Sequence, residues 1–209
     1  MRVDVDVWQE AQAYERRTWL TFPGSDMADD RNLDHAVAFG HYRTLLNIHF
    51  TRAVELGCGP FTNIRYILPV AARVDHLVLV DPLASEYEDH KWCRYGRLLR
   101  PGDELIASAI EDLPEMEPFG LVVMINVIEH CRDSDAVFAT VARLLAPGGW
   151  LVAHEHVWPE SGSGGDGHPL RLTWRQYVHA ITDIAAPVYH KDVCNDGIRD
   201  VYIIGRRAE

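Results

Sequence analysis

The sequence is short of the features that mark secreted, membrane-embedded or nucleic-acid-binding proteins. It has four cysteines, Cys58, Cys93, Cys131 and Cys194, far apart and without a CxxC pair. That rules against a disulfide framework and a cysteine zinc site, and a reducing, cytoplasmic setting is expected. No run approaches the ~18 to 20 apolar residues of a membrane span. The opening MRVDVDVWQE lacks the apolar centre of a secretory signal. No internal repeat is visible. Positive charge is also scarce: 20 Lys and Arg face 31 Asp and Glu, a formal net charge of −11. Duplex affinity rests mainly on neutralising phosphates, so neither a nucleic-acid nor a membrane partner is expected. What is present, 47% hydrophobic and 24% charged residues over 209 positions, suits one domain with a sizeable core.

Periodicity divides the chain into an irregular start and a regular alternation. Residues 4–20 and 34–50 read as helices, the second with Leu33, Val37, Leu45 and Ile48 on one face. Between them, Pro23-Gly24-Ser25-Asp26 and Asp29-Asp30 read as a surface loop, or as a lid over a site. From residue 52, short apolar strands at 52–56, 76–80, 104–107, 121–125 and 150–153 alternate with helices at 61–72, 84–99 and 133–145. Strands apolar on both faces and separated by helices imply a buried parallel sheet. Residues 159–169 are rich in Gly and Ser and read as a flexible loop. A helix at 173–184 follows, then two strand-like runs, 187–193 and 200–206, that pair as a hairpin through Asn195-Asp196-Gly197. The expected fold is α/β and doubly wound: a mostly parallel seven-stranded sheet with an antiparallel hairpin at its edge.

The strongest chemical signal is Val54-Glu55-Leu56-Gly57-Cys58-Gly59-Pro60, where a strand turns into a helix. Glycines there let the backbone turn sharply and approach a ligand, and the helix that follows directs its amides at the same spot. Asp81, with Pro82 behind it, ends the second strand, where a carboxylate can accept hydrogen bonds from both hydroxyls of an adenosine ribose. The loop lacks the GxGxxG spacing of a dinucleotide site. Glu55, two residues before the first glycine, would repel a pyrophosphate and attract a cationic cofactor.

These residues resemble the core of class I S-adenosylmethionine-dependent methyltransferases, especially the group with small-molecule acceptors. Glu55-Leu56-Gly57-Cys58-Gly59 resembles that family's first motif and Asp81 its ribose-binding acid. Ile110-Glu111-Asp112-Leu113-Pro114 resembles the segment bordering the adenine. Asn126-Val127-Ile128-Glu129-His130-Cys131-Arg132-Asp133 resembles the segment after the fourth strand, and Leu144-Leu145-Ala146-Pro147-Gly148-Gly149 the turn before the fifth. The resemblance covers residues 52–157, about half the chain. It implies S-adenosyl-L-methionine as cofactor, bound by Glu55, Gly57, Cys58, Gly59, Asp81, Pro82, Ala109, Ile110, Glu111 and Asn126. The chain departs from the pattern at Phe61, where a third glycine is common, at Ala109, where an acid often meets the adenine, and at Gly120, where an Asp is usual.

The implied arrangement is one methyltransferase domain, with a helical cap at 1–50, a cofactor core at 51–157 and a substrate-side half at 158–209. The expected reaction is methyl transfer to a small-molecule or saccharide acceptor, hydroxyl or amine; a homo-oligomer is left open. The alternatives are a nicotinamide-dependent oxidoreductase and a non-catalytic adenosine-ligand-binding protein of the same fold. Candidate bases are His130 and His154, at strand ends that face the crevice in such sheets, with Glu155 and His156 beside them. His154 and His156 share a strand face, so with His168 or Glu155 they could hold a divalent metal; the expectation is no metal. Lys91, Arg94, Arg97 and Arg100 recur every third residue as a stripe on one helix, a solvated face or an attractor of anionic acceptors. Trp8, Tyr14, Trp19 and Tyr42 are core residues, or aromatics closing over an acceptor.

Overall fold

The structure, a computed structural model, describes residues 1–21, 25–40, 48–67, 73–165, 167–195 and 197–209. Two helices come first, α1 (Val5–Thr21) and α2 (Ser25–Phe39), then β1 (His49–Leu56), α3 (Ile64–Ile67), β2 (Arg73–Val80), α4 (Ala84–Glu88), α5 (Tyr95–Leu98), β3 (Glu104–Ile106) and β4 (Phe119–Ile125). There follow α6 (Ser134–Leu144), β5 (Leu145–Val157), the two-residue strands β6 (Gly162–Ser163) and β7 (Leu170–Arg171), α7 (Trp174–Ile184), β8 (Ala186–Asn195) and β9 (Ile198–Arg206). Single 3₁₀ turns occupy Ile110–Asp112 and Ile128–His130. Among the described residues no helix is long and apolar enough to cross a membrane.

Seven strands form one sheet in the order β3-β2-β1-β4-β5-β9-β8. The first five are parallel, and β9 runs antiparallel to both its neighbours. This is the doubly wound sheet with an antiparallel hairpin at its edge. Alternation along the strands assigns the two cores. Val54, Leu56, Val78, Val80, Val122 and Met124 pack with Val137, Val141 and Leu144 of α6 and Tyr177 and Ile181 of α7. Ala53, Leu77, Leu79, Leu121 and Val123 pack on the other face with Phe39, Ile64, Ile67, Tyr87 and Tyr95. Strand order reverses between β1 and β4, so the loops leaving their carboxyl ends part there and open a crevice.

Several expected elements differ. The second helix begins at Ser25, so the backbone of Ser25, Asp26, Asp29 and Asp30 is helical and forms neither loop nor lid; Pro23 and Gly24 lie outside the described residues. That helix ends at Phe39, ahead of Gly40 at φ +40°, and His49 and Phe50 open β1. Residues 41–47, with Tyr42 and Leu45, lie outside the described residues, as do 68–72 at the end of the helix expected at 61–72. The helix expected at 84–99 breaks into α4 and α5, because the Arg94 amide donates to Pro60 O (2.9 Å) and the chain must leave helical register to reach it. The basic stripe dissolves with that helix. Lys91 lies over Trp92, Arg94 over Phe61, and Arg100 bonds Asp103 and Val74 O. Within the Gly/Ser stretch, Gly162 and Ser163 pair with Arg171 and Leu170 as a small ladder.

Helix α7 starts at a reciprocal cap: Thr173 Oγ1 accepts from the Gln176 amide (3.3 Å), and Gln176 Oε1 accepts from the Thr173 amide (2.9 Å). Removing such a cap costs about 1 kcal/mol. Thr173→Ala should therefore lower the thermal midpoint by roughly 2–4 °C, measured by circular dichroism; an unchanged midpoint would show that the packed face of α7 alone sets its start.

Candidate active site

The bend after β1 is built from backbone held on all sides. Gly57 sits at φ +65° and Gly59 at φ +51°, in the left-handed region where side chains strain. A Cβ on Gly57 would lie 2.6 Å from both methyls of Val127, so this position admits glycine alone. Beside Gly59 that space is open. The Cys58 amide donates to Val80 O (3.0 Å), tying the bend to β2. Asp81 accepts from the Gly59 amide (3.0 Å) with one oxygen and from the Leu83 amide (2.9 Å) with the other. From beneath, the buried Tyr95 hydroxyl donates to Gly59 O (2.9 Å) and lies 3.3 Å from Cys58 Sγ.

Above the bend opens a cleft of about 820 Å³, its mouth included. Gly57, Cys58, Gly59, Pro60 and Phe61 form its floor, with Asp81, Pro82 and Leu83 after β2, Ala109, Ile110 and Glu111 after β3, and Ile125, Asn126, Val127, His130 and Cys131 after β4. The remaining wall is α1, through Trp8, Gln12, Glu15 and Trp19, joined by Asn32 of α2. That wall is docked by hydrogen bonds: Trp8 Nε1 (3.1 Å) and Gln12 Nε2 (3.2 Å) both donate to His130 O. Gln12, Glu15, Asn32 and Asn63 were missing from the sequence-based site. The signal for Gln12 and Glu15 was present, since they share a helical face with Trp8 and Trp19.

The cleft brings together nine of the ten expected cofactor residues: Gly57, Cys58, Gly59, Asp81, Pro82, Ala109, Ile110, Glu111 and Asn126. The tenth, Glu55, is turned the other way. Its oxygens accept from the Asn63 (2.6 Å) and Ile64 (3.1 Å) amides at the start of α3, and it is 1% exposed and does not line the cleft. The expectation that Glu55 meets the ligand's positive charge is therefore corrected. A strand-end side chain alternates away from the crevice, and the orphan amides of a helix start lie within its reach. Burial raises its carboxyl to about 7 despite those two bonds, and raises Asp81 to about 6.

Polarity in the cleft is nevertheless one-sided. Three carboxylates, Glu15, Asp81 and Glu111, line it, and no Lys or Arg is among the described lining residues. The Oδ1 atoms of Asn63 and Asn126 are buried without a hydrogen-bond partner among the described residues, and Asn126 is held at φ +58°. Buried acceptors of this kind require donors. The fit is to a ligand carrying hydroxyl and ammonium donors with net positive charge, as S-adenosylmethionine does, and not to a diphosphate, which offers only acceptors and negative charge.

The two candidate bases part company. His130 lines the cleft, and its Nδ1 lies 2.8 Å from Gly167 O. His154 does not line it. It is fully buried under α2, its ring 4.3 Å from that of His35 and 4.4 Å from that of Tyr202, with Nε2 3.3 Å from Asp200. Strand alternation explains this: β5 turns His154 and His156 to one face and Glu155 to the other, where Glu155 Oε2 accepts from the Val127 (3.1 Å) and Ile128 (2.5 Å) amides. Burial pushes the Glu155 carboxyl up. The expected company of His154 and His156 is corrected too, since their third partner is Asp200, and His168 stands beside His130. Of the aromatics, Trp8 and Trp19 line the cleft, and Tyr14 lies at a second hollow between α1 and the loop at Gly164, Gly165 and Gly167.

Residues 54–151 match the family described as a methyltransferase domain. No curated protein has a sequence that matches this chain. Among solved structures, the N-methyltransferase NodS from Bradyrhizobium japonicum WM9, in complex with S-adenosyl-L-homocysteine, superposes with a TM-score of 0.66 at 14% identity, covering 97% of this chain and 99% of that one. The 1,6-didemethyltoxoflavin-N1-methyltransferase of Burkholderia thailandensis, with bound 1,6-didemethyltoxoflavin and S-adenosylhomocysteine, gives 0.61 at 14%, covering 100% and 94%. The [4+2]-cyclase SpnF gives 0.68 at 15%, covering 97% and 96%. At such identities these likenesses establish the fold alone, and the family rests on the matched core, where the first-motif bend and the strand-end acid stand together. Residues 54–151, just under half of the chain, carry the methyltransferase domain, and with the glycine bend and the strand-end acid they agree with the class I S-adenosylmethionine-dependent methyltransferases.

Proposed function

We propose that this enzyme transfers the methyl group of S-adenosylmethionine to a small molecule, a saccharide or another metabolite, that enters the cleft beside His130. The observation that carries the reading is the donor-seeking cleft: Asp81 at its floor, two partnerless amide oxygens, and no cationic side chain among its described lining residues. A small acceptor is supported by the wall that α1 raises over the crevice, which narrows access to the bend. The net charge of −11 gives no support to a polyanionic substrate. Of the neighbours, the toxoflavin enzyme holds a small molecule together with the demethylated cofactor. The proposed arrangement is one domain, with residues 1–50 as the cap, 51–157 as the cofactor core and 158–209 as the substrate side.

In this reading each Asp81 oxygen, already holding one amide, accepts one ribose hydroxyl with its remaining lone pair. Ala109, Ile110 and Glu111 border the base. Asn63 Oδ1 and Asn126 Oδ1 accept from the methionyl ammonium. The bound cofactor supplies a methyl group whose departure leaves a neutral thioether. The protein's task is alignment, worth ~7–11 kcal/mol when two reactants are held in register. Trp8 and Trp19 exclude water, and His130 meets the acceptor.

Calorimetry with S-adenosylmethionine should give saturable 1:1 binding, weakened at least tenfold in Asp81→Ala, while a nicotinamide dinucleotide gives no heat. Tighter binding of the dinucleotide, or unchanged binding in the variant, would overturn the assignment. Because Asp81 titrates near 6 in the empty cleft, and the ribose hydroxyls and the cation favour its ionised form, binding releases a proton below that pH. Affinity should rise from pH 5 to pH 7 and level off above, and Asp81→Asn should flatten that rise; a wild-type affinity flat over this range would refute the linkage. His130→Ala should leave cofactor affinity within about twofold, yet cut methyl incorporation from labelled cofactor into a metabolite extract by ~10²-fold or more. Full incorporation by that variant would remove His130 from the chemistry.

A further inference from the structure

Two clusters of metal-ligating side chains stand at the carboxyl end of the sheet, and their distances tell them apart. In the first, His156 Nδ1 lies 2.6 Å and His154 Nε2 3.3 Å from the same Asp200 oxygen. These are hydrogen-bonded contacts with no room for a cation between the atoms. In the second, Glu129 Oε1 lies 3.5 Å from His168 Nε2 and 3.8 Å from His130 Nε2. Glu15 Oε1 lies beside the other nitrogen of that ring, 3.7 Å from His130 Nδ1, and Glu15, His130 and His168 each have a ligand atom within 4.8 Å of the other two.

The spacing in the second cluster exceeds a hydrogen bond. It is close to the ~3.4 Å that two ligand atoms keep when each lies ~2.0–2.1 Å from one tetrahedral ion. Three further features fit a cation. The His130 Nδ1–H donates to Gly167 O at 2.8 Å, the backbone-carbonyl partner that fixes the tautomer of a ligating imidazole, and this turns the Nε2 lone pair toward Glu129. The Glu129 side chain is 4% exposed, and its Oε1 is the atom nearest to both imidazoles, so one carboxylate oxygen stands between two nitrogen ligands. The two imidazole rings lie 4.8 Å apart and tilted by 46°, so they converge without stacking flat. The approach of the loop is also enforced: a Cβ on Gly167 would lie 2.4 Å from Glu15 Oε1.

We propose that Glu129, His130 and His168, with Glu15 beside them, bind one divalent transition-metal ion in the wall of the cofactor cleft, so that His130 acts on the acceptor through that ion. Two imidazoles with carboxylates suit zinc, manganese or cobalt. The ion belongs on the acceptor side, because His130 and Glu15 also line the cleft that contains Asp81. The two carboxylates balance its charge, so a cationic cofactor is not repelled. The metal site stands on its own geometry; its place beside the acceptor rests on the methyl-transfer reading.

The test uses the full chain, treated with EDTA and dialysed, and titrated with Co²⁺ by visible absorption and with Zn²⁺ by calorimetry. One equivalent should bind saturably, at least tenfold more weakly in His168→Ala and in Glu129→Gln, and unchanged in His156→Ala. Binding of S-adenosylmethionine by the His168→Ala protein reports that it is folded. Absence of saturable metal binding in the wild type, binding that survives both substitutions, or binding that depends on His156 would overturn the site. Metal binding without any cofactor binding would leave the site standing and remove the methyl-transfer reading instead.

Discussion

Glu55, Asp81 and Glu155 lie at or near the carboxyl ends of β1, β2 and β5, and each accepts backbone amides at that edge of the sheet. Glu55 takes those of Asn63 and Ile64, Asp81 those of Gly59 and Leu83, and Glu155 those of Val127, Ile128 and His156. Loops at this edge cannot pair with a neighbouring strand, and their buried amides need acceptors. A carboxylate serves two or more at once and more strongly than a neutral group. Desolvation still outweighs these bonds, which is why all three acids sit above their ordinary range. The carboxylates are thus retained for the loop geometry they impose.

That geometry forms a continuous chain across the sheet. Glu155 on β5 holds the Val127 amide, and the Val127 methyls stand where a side chain on Gly57 would have to go. Gly57 turns the bend whose next glycine donates to Asp81 beyond β2, and the Cys58 amide returns to Val80. The loops after β1 and β4 are therefore each held by an acid from another strand's end, and the cleft floor is largely backbone that no rotamer change can displace. Pre-organisation of this kind is what a reaction governed by alignment needs.

The parallel strands and the bend were legible because their signals are local: apolar runs of strand length, glycines at a strand end, an acid closing the next strand. What sequence reading missed depends on partners distant in the chain. The helix expected at 84–99 breaks because the Arg94 amide reaches Pro60. Glu55 occupies the expected position but faces the α3 amides, since the motif fixes where the residue stands and not which way the strand turns it. His154 was drawn to the cleft by its strand-end position, then removed from it by the same alternation. The group of Glu15, Glu129, His130 and His168 spans a helix, a turn and a loop, so no spacing in the sequence announces it.

A single acid beside a glycine loop cannot identify a cofactor when that acid is consumed by a helix start. The discrimination passes to the whole lining, which includes three carboxylates and two asparagines whose amide oxygens are buried without a partner among the described residues, and no Lys or Arg among its described residues. Fold likeness cannot replace this step, because a [4+2]-cyclase superposes on the chain as well as NodS does. Nor does the cleft by itself choose between an oxygen and a nitrogen acceptor, since both reach a methyl group along the same line. That choice falls to the groups beside His130, where two imidazoles and two carboxylates converge. An amine acceptor needs only to arrive unprotonated, whereas a hydroxyl needs its proton drawn off, so the two demand different chemistry of that wall.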